Sequence, residues 1–306
     1  MDLDLTGLSF RPQILDSGVA EHELRRTLRY GQLKRLRPGA YVRADHRDLN
    51  DRVARHALLV SAAVPALSAG AVISHTSAAV LHGLPIWNLQ LERVHASRQR
   101  RSGGRRGRLL HVHAAPWESD EVVLLDGKAV TSVARTVVDV ARLVPFEQAV
   151  VVADGALHHD LVTPSELDAA LERAAHRRGN TAARRVMAFA DGRSESVGES
   201  RSRVAIHRAG LEPPTPQWAV LGVTGRLVGR VDFGWPPLRA VGEFDGCAKY
   251  GRFLGPGQAP ADVVIAEKLR EDRLRDEGLR VVRWTWSELD TFAIVAARLE
   301  RAFAGR

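Results

Sequence analysis

The last third of the chain puts acidic side chains where apolar strands should bury them. Within Arg230-Val231-Asp232-Phe233, Asp232 falls near the end of a predicted strand among apolar neighbours. In Val241-Gly242-Glu243-Phe244-Asp245-Gly246, Glu243 and Asp245 are two residues apart and share one face of a second strand. A buried carboxylate without a partner is costly. Several together either raise one another's proton affinity or take up a cation, and oxygen donors suit Mg2+ or Mn2+. In phosphodiester hydrolysis such an ion polarises the phosphoryl oxygen, activates a bound water and steadies the leaving oxygen. Glu199, at the start of a helix, can complete the sphere, with Glu195 as a rival that precedes the helix. The same acids could instead pair structurally with Arg230, Arg270 or Arg273.

The elements that must position these acids follow in order. The pattern predicts a helix over 199–209 closed at Gly210, strands over 217–223, 227–233 and 238–245, a helix over 261–277 closed at Gly278, and a strand over 279–284. Helix, three strands, helix, strand is the core order of restriction-endonuclease-like folds, and other α/β domains share it.

The segment from Ser194 to Leu289 carries more specific signals. Glu199-Ser200-Arg201, Gly229-Arg230-Val231-Asp232-Phe233, Glu243-Phe244-Asp245-Gly246, Lys249-Tyr250, Glu267-Lys268 with Arg270-Glu271-Asp272, and Arg283-Trp284-Thr285 together resemble an actinobacterial family related to the very-short-patch-repair endonucleases. The resemblance implies a PD-(D/E)XK fold and, for active members, metal-dependent DNA strand cleavage with Asp232 and Glu243 as ligands. The family pattern also wants a lysine two residues after the second acid, where this chain has Asp245. Lys249, just past the strand, or Lys268, on the next helix, could bring an ammonium into that space.

The amino-terminal region reads differently. Residues 11–43 hold eight basic and three acidic residues. They predict a short helix over 11–16, a turn at Gly18, a helix over 21–30 with Leu24 and Leu28 on one face, and two strands about Pro38-Gly39. This is the order of a winged helix-turn-helix. Arg25, Arg26 and Arg29 would face a major groove and Arg35 and Arg37 would touch phosphates. The alternative is a small helical cap with solvated arginines. Farther on, residues 93–108 contain seven arginines and no acid, and predict a solvated hairpin tip. Asp126-Gly127 predicts a tight hairpin turn, and helices should start near Ser132, Pro145, Thr163 and Asn180.

Gly18 to Val42 with Arg37-Pro38-Gly39-Ala40-Tyr41-Val42, Ile73-Ser74-His75-Thr76-Ser77-Ala78-Ala79 with Leu81-His82-Gly83-Leu84, and Asp126-Gly127 followed by Thr131-Ser132, Arg135-Thr136 and Asp139 resemble the AbiEi-like antitoxin family of the abortive-infection AbiE type IV toxin–antitoxin systems. The resemblance implies a winged helix-turn-helix that binds operator DNA and represses its own operon, with a cognate toxin as a further partner.

The expected fold is therefore α+β and multidomain: a winged helix-turn-helix over 1–48, a mixed α/β middle region over 49–193, and a restriction-endonuclease-like α/β domain over 194–306. Bulk properties agree. A net charge of +8 across 306 residues favours a polyanionic partner, and the basic excess lies mostly before residue 195. The single cysteine, Cys247, predicts a reducing, cytoplasmic setting, and Asp2 and Asp4 argue against a secretion signal. The apolar run over 57–74 is broken by Pro65 and Gly70, so it predicts a packed helix and strand rather than a membrane span. No Gly-rich phosphate loop and no nucleophile elbow appear. His75 and His82 are expected to be structural. His111 and His113 share a strand face without a nearby acid or cysteine and are not expected to hold zinc.

Overall fold

The computed structural model describes residues 7–100, 102–223, 225–246 and 260–305. They form a mixed α+β protein in two compact units. One runs to Val152 and adds Leu161–Ala188, and the other comprises Ala153–Asp160 and Phe189–Arg306.

The first unit opens with β1 (Ser9–Phe10), α1 (Arg11–Asp16) and α2 (Glu21–Arg29), then the hairpin β2 (Leu33–Arg37) and β3 (Ala40–Arg43). The Glu23 carboxylate accepts the Ala20 N–H at 2.9 Å and so fixes the start of α2. Gly39, at φ +79°, makes the hairpin turn that a side chain would resist. Ile14, Val19, Leu24, Leu33 and Tyr41 close a small core beneath, and β1 adds a third strand against β3. The two helices and the hairpin thus stand where the sequence places them.

The rest of this unit is built on a six-stranded sheet. Its strands are β4 (Ala71–Ile73), β5 (Val94–Arg98), β6 (Arg105–Arg106), β7 (Leu110–Ala114), β8 (Val122–Leu125) and β9 (Lys128–Thr131), in the order β6-β7-β5-β4-β9-β8. The helices are α3 (Arg52–Ala63), α4 (His75–Leu81), α5 (Val133–Ala141), α6 (Phe146–His158), α7 (Pro164–Arg173) and α8 (Asn180–Phe189). Asp51 caps α3, Ser132 caps α5, and Thr163 with Glu166 makes a reciprocal cap on α7. Val60, Ile73, Ala78, Val94 and Val130 pack the sheet against its helices.

One expectation fails here. The arginine-rich stretch is not the tip of a hairpin, because β5 and β7 run parallel, His95 beside His111 and Ser97 beside His113. The intervening chain is long enough to double back along the sheet, and β6 pairs antiparallel on the far side of β7.

At the heart of this unit lies a buried ionic knot. Arg135 is 1% exposed, and its Nε donates to Asp139 at 2.6 Å while its Nη1 donates to Glu121 at 3.1 Å. Arg142 reaches the other Asp139 oxygen at 2.7 Å.

The second unit contains α9 (Val197–Arg208), β10 (Thr215–Leu221), β11 (Leu227–Trp235), β12 (Ala240–Asp245), α10 (Pro260–Asp276), β13 (Arg280–Thr285), α11 (Trp286–Leu289) and α12 (Ala293–Phe303). The sheet order is β10-β11-β12-β13, antiparallel except for the parallel β12–β13 pair that α10 connects. One face packs Ile206, Phe233, Trp235, Trp284 and Leu299, and a second cluster gathers Val220, Val231, Val241 and Leu274.

Helix α9 has a polar sequence yet is buried from Gly198 to Val204. It can lie there because its polar groups are answered. Arg203 pairs with Asp154 at 2.8 Å, Arg201 with Asp290 at 2.9 Å, and Ser202 Oγ accepts from Trp284 Nε1 at 2.8 Å. Gly198 is required by close approach, since a Cβ there would stand 1.9 Å from the Phe244 ring. Among the described residues, no helix is long and apolar enough to cross a membrane.

Candidate functional site

The carboxylates sit around the middle of the second unit's sheet. Phe233 pairs with Gly242 across β11 and β12, and carrying that register one step on places Asp232 beside Glu243. Strict alternation along β11 is lost at this point. Val231 packs with Val241 and Leu274, whereas Phe233, two residues on, packs with Trp284 in the other core cluster. Gln217, on the neighbouring strand β10, holds φ +51° between the paired residues Pro216 and Trp218. A non-glycine residue in this conformation stores strain, and such strain gathers where a side chain must be aimed.

Each acid is held by named partners. Asp232 Oδ2 accepts the Phe244 N–H at 2.8 Å. Glu199, three positions into α9 behind its cap Ser196, accepts the Ser196 hydroxyl at 2.8 Å, the Glu195 N–H at 3.0 Å and Gln217 Nε2–H at 2.7 Å. Glu243 is 6% exposed and lies between Arg270 at 2.5 Å and Arg283 at 2.8 Å. Of the pairings considered from sequence, Arg270 therefore does meet Glu243. Arg230 instead pairs with Glu195 at 2.7 Å, and Arg273 Nε donates to the Leu269 carbonyl at 3.2 Å. Arg283 has no local signal in the sequence; it reaches Glu243 because β13 lies parallel to β12 with the two residues in register.

Asp245 ends β12 opposite Thr285 and is partly buried. Lys268 is exposed on α10, and Lys249 and Cys247 lie outside the described residues. Among the described residues, Glu199, Asp232 and Glu243 do not bring three ligand oxygens within 4.8 Å of one another. Two guanidinium groups already offset the Glu243 charge, and Glu199 already accepts three hydrogen bonds. As arranged, these residues do not fit the octahedral oxygen shell that Mg2+ demands.

The basic candidates divide into two sets. Arg25, Arg26 and Arg29 are exposed on α2, with Arg25 turned back to Glu21 at 3.3 Å. Arg35 and Arg37, from the β2–β3 hairpin, line a cavity of about 920 Å³ together with Arg98, Arg105 and Arg108, and among the described residues no acid is in the lining. The hairpin arginines and the arginine-rich stretch, some 60 residues apart in sequence, thus share one concavity. Arg37 is anchored there by a bond from Nη1 to the Ala62 carbonyl at 3.3 Å.

Histidines form a second cluster. His82 is structural as expected, donating from Nε2 to the Thr131 carbonyl at 2.7 Å. His75, His95 and His113, however, gather with their ligand nitrogens within 4.8 Å of one another. Burial pushes His95 down to about 3 and His75 and His113 well below the usual imidazole range, so all three rings are neutral at pH 7. The parallel pairing of β5 with β7 brings His95 and His113 together, which a hairpin reading of the sequence hides, and the start of α4 supplies His75.

No protein family model matches the chain. Two uncharacterised proteins of Mycobacterium tuberculosis, MT2308 of strain CDC 1551 and Rv2248 of strain H37Rv, are each 33% identical over 158 residues, which is 52% of this chain. The match spans about half of those relatives, 55% of their length. A solved structure of the Rv2827c protein of Mycobacterium tuberculosis is similar at a TM-score of 0.35 with 14% identity, covering 60% of this chain and 77% of that one.

Proposed function

We propose that this protein is a DNA-binding transcriptional regulator of the antitoxin-like type, with a winged helix at its amino terminus and a PD-(D/E)XK-type scaffold that does not turn over substrate in its second unit. One observation carries the DNA-binding proposal: Arg35, Arg37, Arg98, Arg105 and Arg108 line a single cavity that, among the described residues, is free of acids. Arginines collected in a concavity raise its positive potential and suit the phosphate backbone. Bound phosphates release condensed counterions, so affinity must fall steeply with salt.

The test is fluorescence anisotropy with duplex DNA between 50 and 200 mM salt. Replacing Arg35, Arg105 and Arg108 together by alanine is expected to weaken binding about tenfold or more and to reduce the log–log salt slope by about 2 to 3. An unchanged slope would defeat the proposal. The same variant should lose repression of a reporter placed behind the protein's own promoter.

A hydrolase remains the second reading, favoured by the adjacency of Asp232 and Glu243 on neighbouring strands. Supercoiled plasmid incubated with Mg2+ or Mn2+ separates the two. Under the regulator reading the plasmid stays intact and Asp232→Ala leaves DNA binding unchanged. Metal-dependent nicking that Asp232→Ala abolishes would instead establish the enzyme.

A further inference from the structure

We propose that His75, His95 and His113 form a binding site for a single transition-metal ion of the Zn2+ class, separate from the carboxylates of the second unit. Imidazole nitrogens prefer Zn2+ and its neighbours to Mg2+.

The strongest evidence is the approach of His95 Nδ1 to His113 Nε2, at 3.0 Å. Without an ion an ordinary N–H···N hydrogen bond between neutral rings fills this gap, and ligation of both nitrogens moves that proton to the far nitrogen of its ring. Ligands at zinc distances of about 2.05 Å in tetrahedral array stand about 3.3 Å apart, close to the observed separation. The third nitrogen, on the His75 ring that lies stacked on His113 with centroids 3.7 Å apart, is within 4.8 Å of the other two.

The surroundings support ligation. His75 Nδ1 is held at 3.0 Å by Ser74 Oγ, which in turn accepts from Ser97 Oγ at 2.8 Å, so its other nitrogen is left for the ion. The His95 backbone N–H is fixed to Ser77 Oγ at 2.8 Å. His75 itself holds φ +51° while 5% exposed, a strained conformation maintained at the cluster. Nearby Arg135 and Arg142 do not repel a cation outright, since Asp139 and Glu121 offset them.

The cluster borders a cavity through His95. This cavity, of about 390 Å³, is also lined by His111, Arg93, Arg106 and Gln148. The Gln148 Oε1 is buried there and meets no donor among the described residues. Three histidines with an exchangeable fourth ligand are the arrangement of zinc sites that bind or activate small molecules, in contrast to closed structural sites.

The experiment uses untagged full-length protein, stripped with chelator and titrated with Co2+ and then Zn2+. One Co2+ per chain is expected, with visible bands of a four-coordinate site that one equivalent of Zn2+ abolishes. His95→Gln and His113→Gln should each weaken binding about 100-fold or more while far-UV circular dichroism stays native, and Asp232→Ala should bind as the parent does. Absence of the bands in the parent protein, or equal binding by the histidine variants, overturns the site. If either variant fails to fold, imidazole 15N shifts of the parent protein decide. Movement confined to three histidine rings on Zn2+ addition supports the site, and movement of others refutes it.

Discussion

Replacing Arg135 by alanine is expected to lower the unfolding free energy by about 3 to 5 kcal/mol. The guanidinium lies 1% exposed between Glu121, 3% exposed, and Asp139, fully buried. Its removal leaves two carboxylates in an apolar interior, and Arg142 answers only Asp139. Loss of one member of a buried ion pair costs far more than the pair contributes, because the survivor keeps its desolvation penalty. Against a typical total of about 5 to 15 kcal/mol, such a loss removes a large part of the stability. Arg173→Ala provides the contrast. Its pair with Asp120 is 38% and 65% exposed, so its loss should cost within about 1 kcal/mol. Urea unfolding followed by circular dichroism measures both, and equal midpoints for the two variants would refute the distinction.

Trp284→Ala is expected to cost about 3 to 5 kcal/mol in the second unit. The indole is fully buried, stacks on Phe233 with centroids 5.3 Å apart, and stands edge-on to Phe292. It also occupies the space that a side chain at Gly242 would need, since a Cβ there would lie 2.5 Å from it. Truncation leaves a cavity among rigid rings that cannot collapse, and deprives Ser202 of its indole donor. Trp284→Phe restores much of the volume and should recover part of the loss. The same urea experiment reports it. A variant as stable as the parent would mean that this core is far more plastic than its packing implies.

Much of this fold is legible locally. Ser196 ahead of Glu199 and Thr163 ahead of Glu166 mark helix starts by chemistry that acts within four residues. Leu24 is buried as its helical spacing requires, and Gly39 turns the hairpin. What escapes is fixed by strand order. Arg283 meets Glu243 because parallel strands bring them into register, and His95 meets His113 diagonally across the parallel pair of β5 and β7. Neither pairing leaves a mark in spacing along the chain. Helix α9 escapes for another reason. Its polar residues are buried because Trp284, Asp154 and Asp290, all distant in sequence, answer them. The burial of Glu243 is readable from its apolar context, while the arginines that hold it depend on the folded arrangement.

The second unit is a discontinuous length of polypeptide, and Asp154 of its first piece pairs with Arg203 of its second. A shortened chain beginning after Ala188 would lack that aspartate and strand a guanidinium inside. Recombination that moved this unit onto another protein would have to carry the end of α6 along with it. The structural unit is therefore longer than the run of strands and helices that its acidic motifs outline.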